Sequence, residues 1–128
     1  AASVAAGHTV EPVLVLGVED GAGEDVGAEE EAPAPDTGGL QPEEAEALSA
    51  MMRSVVESGT ARMLRDVPGE PVHAKSGTAQ WGSGETIHAW MIAFQGDLAV
   101  AAFIEGASVS GTADAGPLVR DLLTRLAP

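Results

Sequence analysis

The residue order predicts an α/β fold of the α+β kind, an antiparallel sheet flanked by helices, and three observations carry that prediction. Two apolar runs, Ala89 to Phe94 and Leu98 to Ile104, stand either side of Gln95-Gly96-Asp97, which is the pattern of a β-hairpin. Two longer stretches, from Pro42 and from about Thr112, repeat apolar residues at three- and four-residue spacing, the period of a helix. The hairpin runs are continuous rather than alternating, so both faces of the sheet are expected to lie under helices.

In chain order, Ala1 to Ala6 are small and helix-compatible, Gly7 stands where a helix would end, and His8 to Pro12 turn the chain. Val13 to Val18 is too short for a full helix and rich in β-branched residues, which suits a buried or edge strand. From Glu19 to Gly39 the composition shifts to Gly, Ala, Pro and acid, with Glu29-Glu30-Glu31 leading into Ala32-Pro33-Ala34-Pro35; with so little to bury, residues 19–39 are expected to form a flexible acidic surface loop.

Leu40-Gln41-Pro42-Glu43-Glu44 opens a helix, because proline suits the first turn and the acids favour the positive end of the helix dipole. Its apolar face is Ala45, Leu48, Met51, Met52, Val55 and Val56, the Met51-Met52 pair included as core, and Gly59 stops it. Thr60 to Arg65 add a further turn before Pro68-Gly69, and Val72 to Gln80 reads as a strand. Gly82 to Glu85 make an exposed turn into the hairpin. After a loop at Ser108 to Gly111, the last helix starts at Thr112 or Asp114 with Ala115, Leu118, Val119, Leu122, Leu123 and Leu126 as its face. No internal repeat is present.

At 128 residues the chain suits one domain, or part of one. Its start on Ala1-Ala2-Ser3, in what reads as the tail of a helix, is expected of part of a longer protein. With two Trp, two Phe and no Tyr, the core must be built from aliphatic side chains and methionine. Twenty acids against six bases leave a formal charge of -14, which repels phosphate backbones and anionic membranes, so nucleic acid is excluded as a partner. Without cysteine there are neither disulfides nor thiolate metal sites, and His8 and His73 lack companions at ligand spacing, so no metal or other cofactor is expected. No run approaches the roughly 20 apolar residues of a membrane-spanning helix.

Chemistry concentrates at Lys75-Ser76-Gly77-Thr78, which holds the only lysine of the sequence. A cation, two hydroxyls and a glycine backbone within four residues form a compact site for a carboxylate and a developing oxyanion. Taken alone, these residues also fit a surface turn or an ordinary edge strand. Their surroundings decide between the readings. Lys75 to Gln80 resembles the K-[ST]-G-T-A-[EQ] box of the penicillin-recognising serine enzymes, Val55 to Ala61 resembles the V-V-x-x-G-T-A segment that precedes that box in monofunctional penicillin-binding proteins, and His88 to Phe94 resembles their H-A-W-F-I-G-[FY]. Ser3 to Pro12 is similar to the family's A-x-x-A-N-G-G-x-x-x-P passage, with Gly7-His8 where Asn-Gly or Gly-Gly is usual. The blocks stand in family order, and together they cover most of the chain outside residues 19–39.

The resemblance implies a β-lactamase/transpeptidase-like fold and assigns roles by position. Lys75 supplies positive potential for the substrate's terminal carboxylate and helps proton traffic near the nucleophile. Ser76 and Thr78 donate hydroxyl hydrogen bonds to that carboxylate, and the backbone N–H of Thr78 is one half of the oxyanion hole, with Lys75 and Thr78 as the catalytic positions. Gly77 and Ala79 complete the substrate-binding strand, against which the acyl donor lies as an added strand would.

The family's acyl chemistry also needs an S-x-x-K nucleophile motif and an S-x-N motif, and this chain has neither, since Lys75 is its one lysine and it contains no asparagine. Both motifs lie N-terminal to the box in the family. Residues 1–128 are therefore expected to be the C-terminal part of a single transpeptidase domain, with no nucleophile in this chain and no acylation by it alone. The expected function is a segment of a D,D-transpeptidase of peptidoglycan cross-linking at the extracytoplasmic face of the bacterial membrane. Its expected partners are the peptidoglycan stem peptide, β-lactam antibiotics and the remaining N-terminal part of the domain. A β-lactamase or D,D-carboxypeptidase of the same superfamily, and a non-catalytic sensor module, are the alternatives. His88 reads as a strand-start residue, Trp90 and Phe94 as core or cleft wall, and Glu85 and Glu105 have no paired carboxylate that would suggest acid–base work.

Overall fold

The computed structural model describes residues 1–11, 39–82 and 86–127. The expected strand at Val13 to Val18, nearly all of the acidic segment 19–39 and most of the Gly82 to Glu85 turn lie outside the described residues. Helix α1 spans Ala2–Ala6 and α2 spans Pro42–Glu57. Strands β1 (His73–Trp81), β2 (Thr86–Gln95) and β3 (Leu98–Ala107) follow, and α3 (Gly116–Leu126) closes the chain. The three strands form one antiparallel sheet in the order β1-β2-β3, so the described part of the fold is the mixed α/β arrangement the sequence predicts.

Local chemistry explains the element ends. At the start of α2 the Gln41 side chain caps the first turn while the Glu44 carboxylate accepts from the Gln41 backbone N–H at 3.1 Å, with Pro42 at the first helical position. The N-terminal segment is tied to this start, because Thr9 Oγ1 accepts from the Leu40 N–H at 2.8 Å. Beyond Gly59 the expected extra turn is a short 3₁₀ helix over Arg62–Leu64, whose Leu64 is fully buried. Gly96 adopts φ 54° at the tip of the β2–β3 hairpin, the positive value such a tight turn needs.

Strand alternation sorts the side chains onto two faces of unequal cover. Ala74, Ala89, Met91 and Ala93 share one face and are fully buried against Val56, Leu64, Ala115 and Leu123, which makes this the core of the molecule. His73, Lys75 and Gly77 share the other face with their register partners Phe94, Ile92 and Trp90. There α2 covers only one end: His73 stacks on Phe94 with ring centroids 4.5 Å apart and bonds to the Ser49 carbonyl at 2.9 Å. Toward the other end Trp81, Trp90 and Phe103 remain exposed. The expectation that helices cover both faces is thus corrected for this half of the sheet, where continuous hydrophobicity marks an aromatic surface and not a second core.

The helix faces are also narrower than their periodicity suggests. On α2, Ala45, Met52 and Val56 are buried while Met51 is 57% exposed and Leu48 points outward, so only one of the methionine pair belongs to the core. Neighbouring residues on a helix lie about 100° apart, so one of an adjacent pair can be buried while the other turns to solvent. On α3 only Val119 and Leu123, with Gly116, are buried, and Leu118, Leu122 and Leu126 form an exposed stripe beside them.

Candidate functional site

An edge strand leaves alternate backbone N–H and C=O groups unpaired, and among the described residues β1 is such an edge. Lys75 lies on it, exposed, with its ammonium donating to the Ser76 carbonyl. No carboxylate is within ion-pairing distance of it among the described residues; the three ion pairs there belong to Arg53, Arg65 and Arg125. Its charge therefore stands open to an incoming anion.

Ser76 and Thr78 start on the opposite face from Lys75 by strand alternation. The Ser76 hydroxyl lies 3.3 Å from that of Thr60, and Thr78 Oγ1 accepts from the Gly111 N–H at 3.0 Å. Gly77 sits between them opposite Trp90, close enough that an added Cβ would stand 3.4 Å from the Trp90 Cβ. Ala79, also exposed, pairs with His88.

Thr60 is legible in the sequence only as part of the Val55 to Ala61 block; the structure gives it a physical task. Its hydroxyl joins the Val55 to Ala61 segment to the lysine box, and the segment itself turns back on α2 through the Ala61 N–H to the Val55 carbonyl at 3.1 Å. Two stretches read separately along the chain are one corner in space.

Sequence reasoning missed two further features. The first is a π-helical turn over Gly111–Ala115, seated on the sheet at Gly77. Its entry is held by Asp114, whose carboxylate accepts from the Val109 and Ser110 N–H groups at 2.8 and 2.7 Å, and by Ser110, whose hydroxyl accepts from the Ala113 N–H at 3.1 Å. A serine four residues ahead of an aspartate was the available signal. The second is an aromatic platform on the face of Lys75. His88 stacks on Trp81 at 5.4 Å between ring centroids and meets Phe103 at 5.3 Å, while Trp90 meets Phe103 at 4.3 Å. The two-residue strand period, applied from Lys75 through Ala79 to Trp81, would have placed Trp81 there. His88 Nδ1 is buried in this stack without a hydrogen-bond partner among the described residues.

Neither His88 nor any other described residue builds a metal centre, since no group of three or more His, Asp or Glu converges among the described residues. A cavity of about 510 Å³ lined by Glu70, Gln95, Asp97 and Leu126 lies at the hairpin tip, at the far end of the strands from Thr78.

Three comparisons bear on this site. The family model described as the penicillin binding protein transpeptidase domain matches residues 1–124. Among solved structures, the chain is similar to Pseudomonas aeruginosa PBP2, determined in complex with WCK 5153, with a TM-score of 0.54 and 27% sequence identity over 71% of this chain. The match spans 22% of that protein's chain. A search of curated proteins found no match.

Proposed function

This chain belongs to the penicillin-binding protein transpeptidase domain family, and we propose from that premise that it supplies one wall of an acyl-transfer cleft, the strand that holds the substrate carboxylate and half of the oxyanion hole in a D,D-transpeptidase of peptidoglycan cross-linking. One observation carries the reading: Lys75, Ser76, Gly77 and Thr78 lie on an unpaired strand edge with an exposed cation that no carboxylate neutralises among the described residues.

The chemistry follows from that placement. An extended peptide or a β-lactam aligns along the open edge and exchanges backbone hydrogen bonds with it. Its terminal carboxylate meets the Lys75 ammonium and the hydroxyls of Ser76 and Thr78, charge-assisted bonds stronger than neutral ones. The Ser76 carbonyl accepts from Lys75, and by the two-residue period the N–H of Thr78 presents itself along the same side of the strand. That N–H is oriented before the reaction begins, so it stabilises negative charge on the attacked carbonyl oxygen with little reorganisation. Gly77 leaves the acyl donor room against Trp90.

The nucleophile and its base are contributed by residues outside this chain, since none of its serines is followed three positions later by lysine. The reading places the working enzyme on the extracytoplasmic side of the membrane, where its peptidoglycan substrate lies. Among the described residues no helix is long and apolar enough to cross a membrane, so that placement rests on the substrate.

Labelled penicillin tests the proposal. The intact protein is expected to form a stable covalent adduct that Lys75→Ala abolishes, whereas residues 1–128 alone form none. An adduct on the isolated chain, or full acylation of the Lys75→Ala protein, would refute it. Slow release of the label marks a transpeptidase, and rapid hydrolytic turnover would reassign the protein to the β-lactamases of the same superfamily.

A further inference from the structure

We infer that the Ser110–Ala115 turn is a positioning device for Thr78, in which Gly111 and Asp114 set the direction of the hydroxyl proton that meets the substrate carboxylate. The inference rests on the proposed function above, and it adds residues from a part of the chain that the lysine box does not contain.

A threonine hydroxyl has one proton to give and two lone pairs to fill. Here the Gly111 N–H fills one lone pair of Thr78 Oγ1 at 3.0 Å. A hydroxyl accepting from that side directs its own proton elsewhere, and the open edge of β1 is the free direction. Thr78 is thereby set as a donor before any carboxylate arrives.

The N–H can reach Thr78 only because Gly111 lies directly on the sheet. A Cβ at this position would stand 2.2 Å from the Gly77 carbonyl oxygen and 2.5 Å from that of Trp90. Both obstacles are backbone, which cannot swing aside as the end of a flexible side chain does. The turn is held in this approach by its own polar contacts: the Asp114 carboxylate gathers the N–H groups of Val109 and Ser110, and the Ser110 hydroxyl takes that of Ala113. Two acceptors thus fix the backbone that carries the donor, and the donor fixes the hydroxyl. Gly111 and Asp114 touch no substrate; they act through Thr78.

A positioning role of this kind is selective for the substrate's charge. In the intact protein, Asp114→Ala is expected to slow acylation by a carboxylate-bearing β-lactam by about tenfold, the weight of one hydrogen bond to a charged group, and to change acylation by the methyl ester of the same compound far less. Ser110→Ala is expected to show the same selectivity more weakly, and it serves where Asp114→Ala does not fold. Asp114→Asn, which keeps an acceptor oxygen, is expected to recover most of the rate. In a Thr78→Val background the selectivity should vanish, because the hydroxyl that the turn orients is gone. Equal losses with acid and ester, or none with either, overturn the inference. Full acylation of Lys75→Ala would instead overturn the reading of the cleft, so the two failures are told apart.

Discussion

In the proposed function the cleft depends on Lys75, and Gly77, two positions on, shows why the box would tolerate little change. A valine at position 77 would push branched carbons against the Trp90 Cβ, already at the near limit of ordinary contact for a single added carbon, and into the lane proposed for the acyl donor. Gly77→Val is therefore expected to abolish acylation of the intact protein by labelled penicillin while the protein still folds, which circular dichroism would check. The residues of this site were largely legible in the sequence, because a lysine, two hydroxyls and a glycine in one run announce their chemistry. What sequence order hid was the partner of each hydroxyl. Thr60 and Gly111 lie 16 and 33 positions from the atoms they meet, and only the packing of α2 and the π-helical turn onto β1 brings them there.

Among the elements, the strands were more legible than the faces of the helices. Two apolar runs joined by Gln95-Gly96-Asp97 predict the hairpin, since a tight turn depends on near neighbours. A helix stripe says which residues could be buried, but how many are buried depends on the width of the surface it meets. Adjacent leucines of α3 make the difference measurable: Leu123 is fully buried in the main cluster, and Leu122 is 43% exposed. Leu123→Ala is expected to destabilise the intact protein by about 2–5 kcal/mol, the range for a buried leucine. Leu122→Ala should stay within about 0.5 kcal/mol, as surface changes do. Urea denaturation of the two variants gives the comparison. Equal effects would mean that the exposed stripe is covered in the intact protein.

For the molecule as a whole, charge is the dominant surface property. A formal charge of -14 on 128 residues repels itself in the compact state more than in an expanded one. The few ion pairs of the described residues are exposed and contribute little against it. Raising salt from about 0.01 M to about 0.15 M shortens the screening length from roughly 30 Å to roughly 8 Å. The melting temperature of the isolated chain is expected to rise across that interval, and a fall in calorimetry would show that attractive pairs dominate. The open edge of β1 has one more consequence at this scale. A strand edge able to receive a peptide substrate is equally able to receive the β1 of another molecule, and charged side chains, lysine above all, are the usual guard against such pairing. Under the proposed function Lys75 faces two kinds of strand, admitting one that ends in a carboxylate and discouraging one that carries a second Lys75. Neutralising it should leave a protein that is both inactive and sticky, with Lys75→Ala sedimenting as larger species at concentrations where Lys75→Arg remains monodisperse.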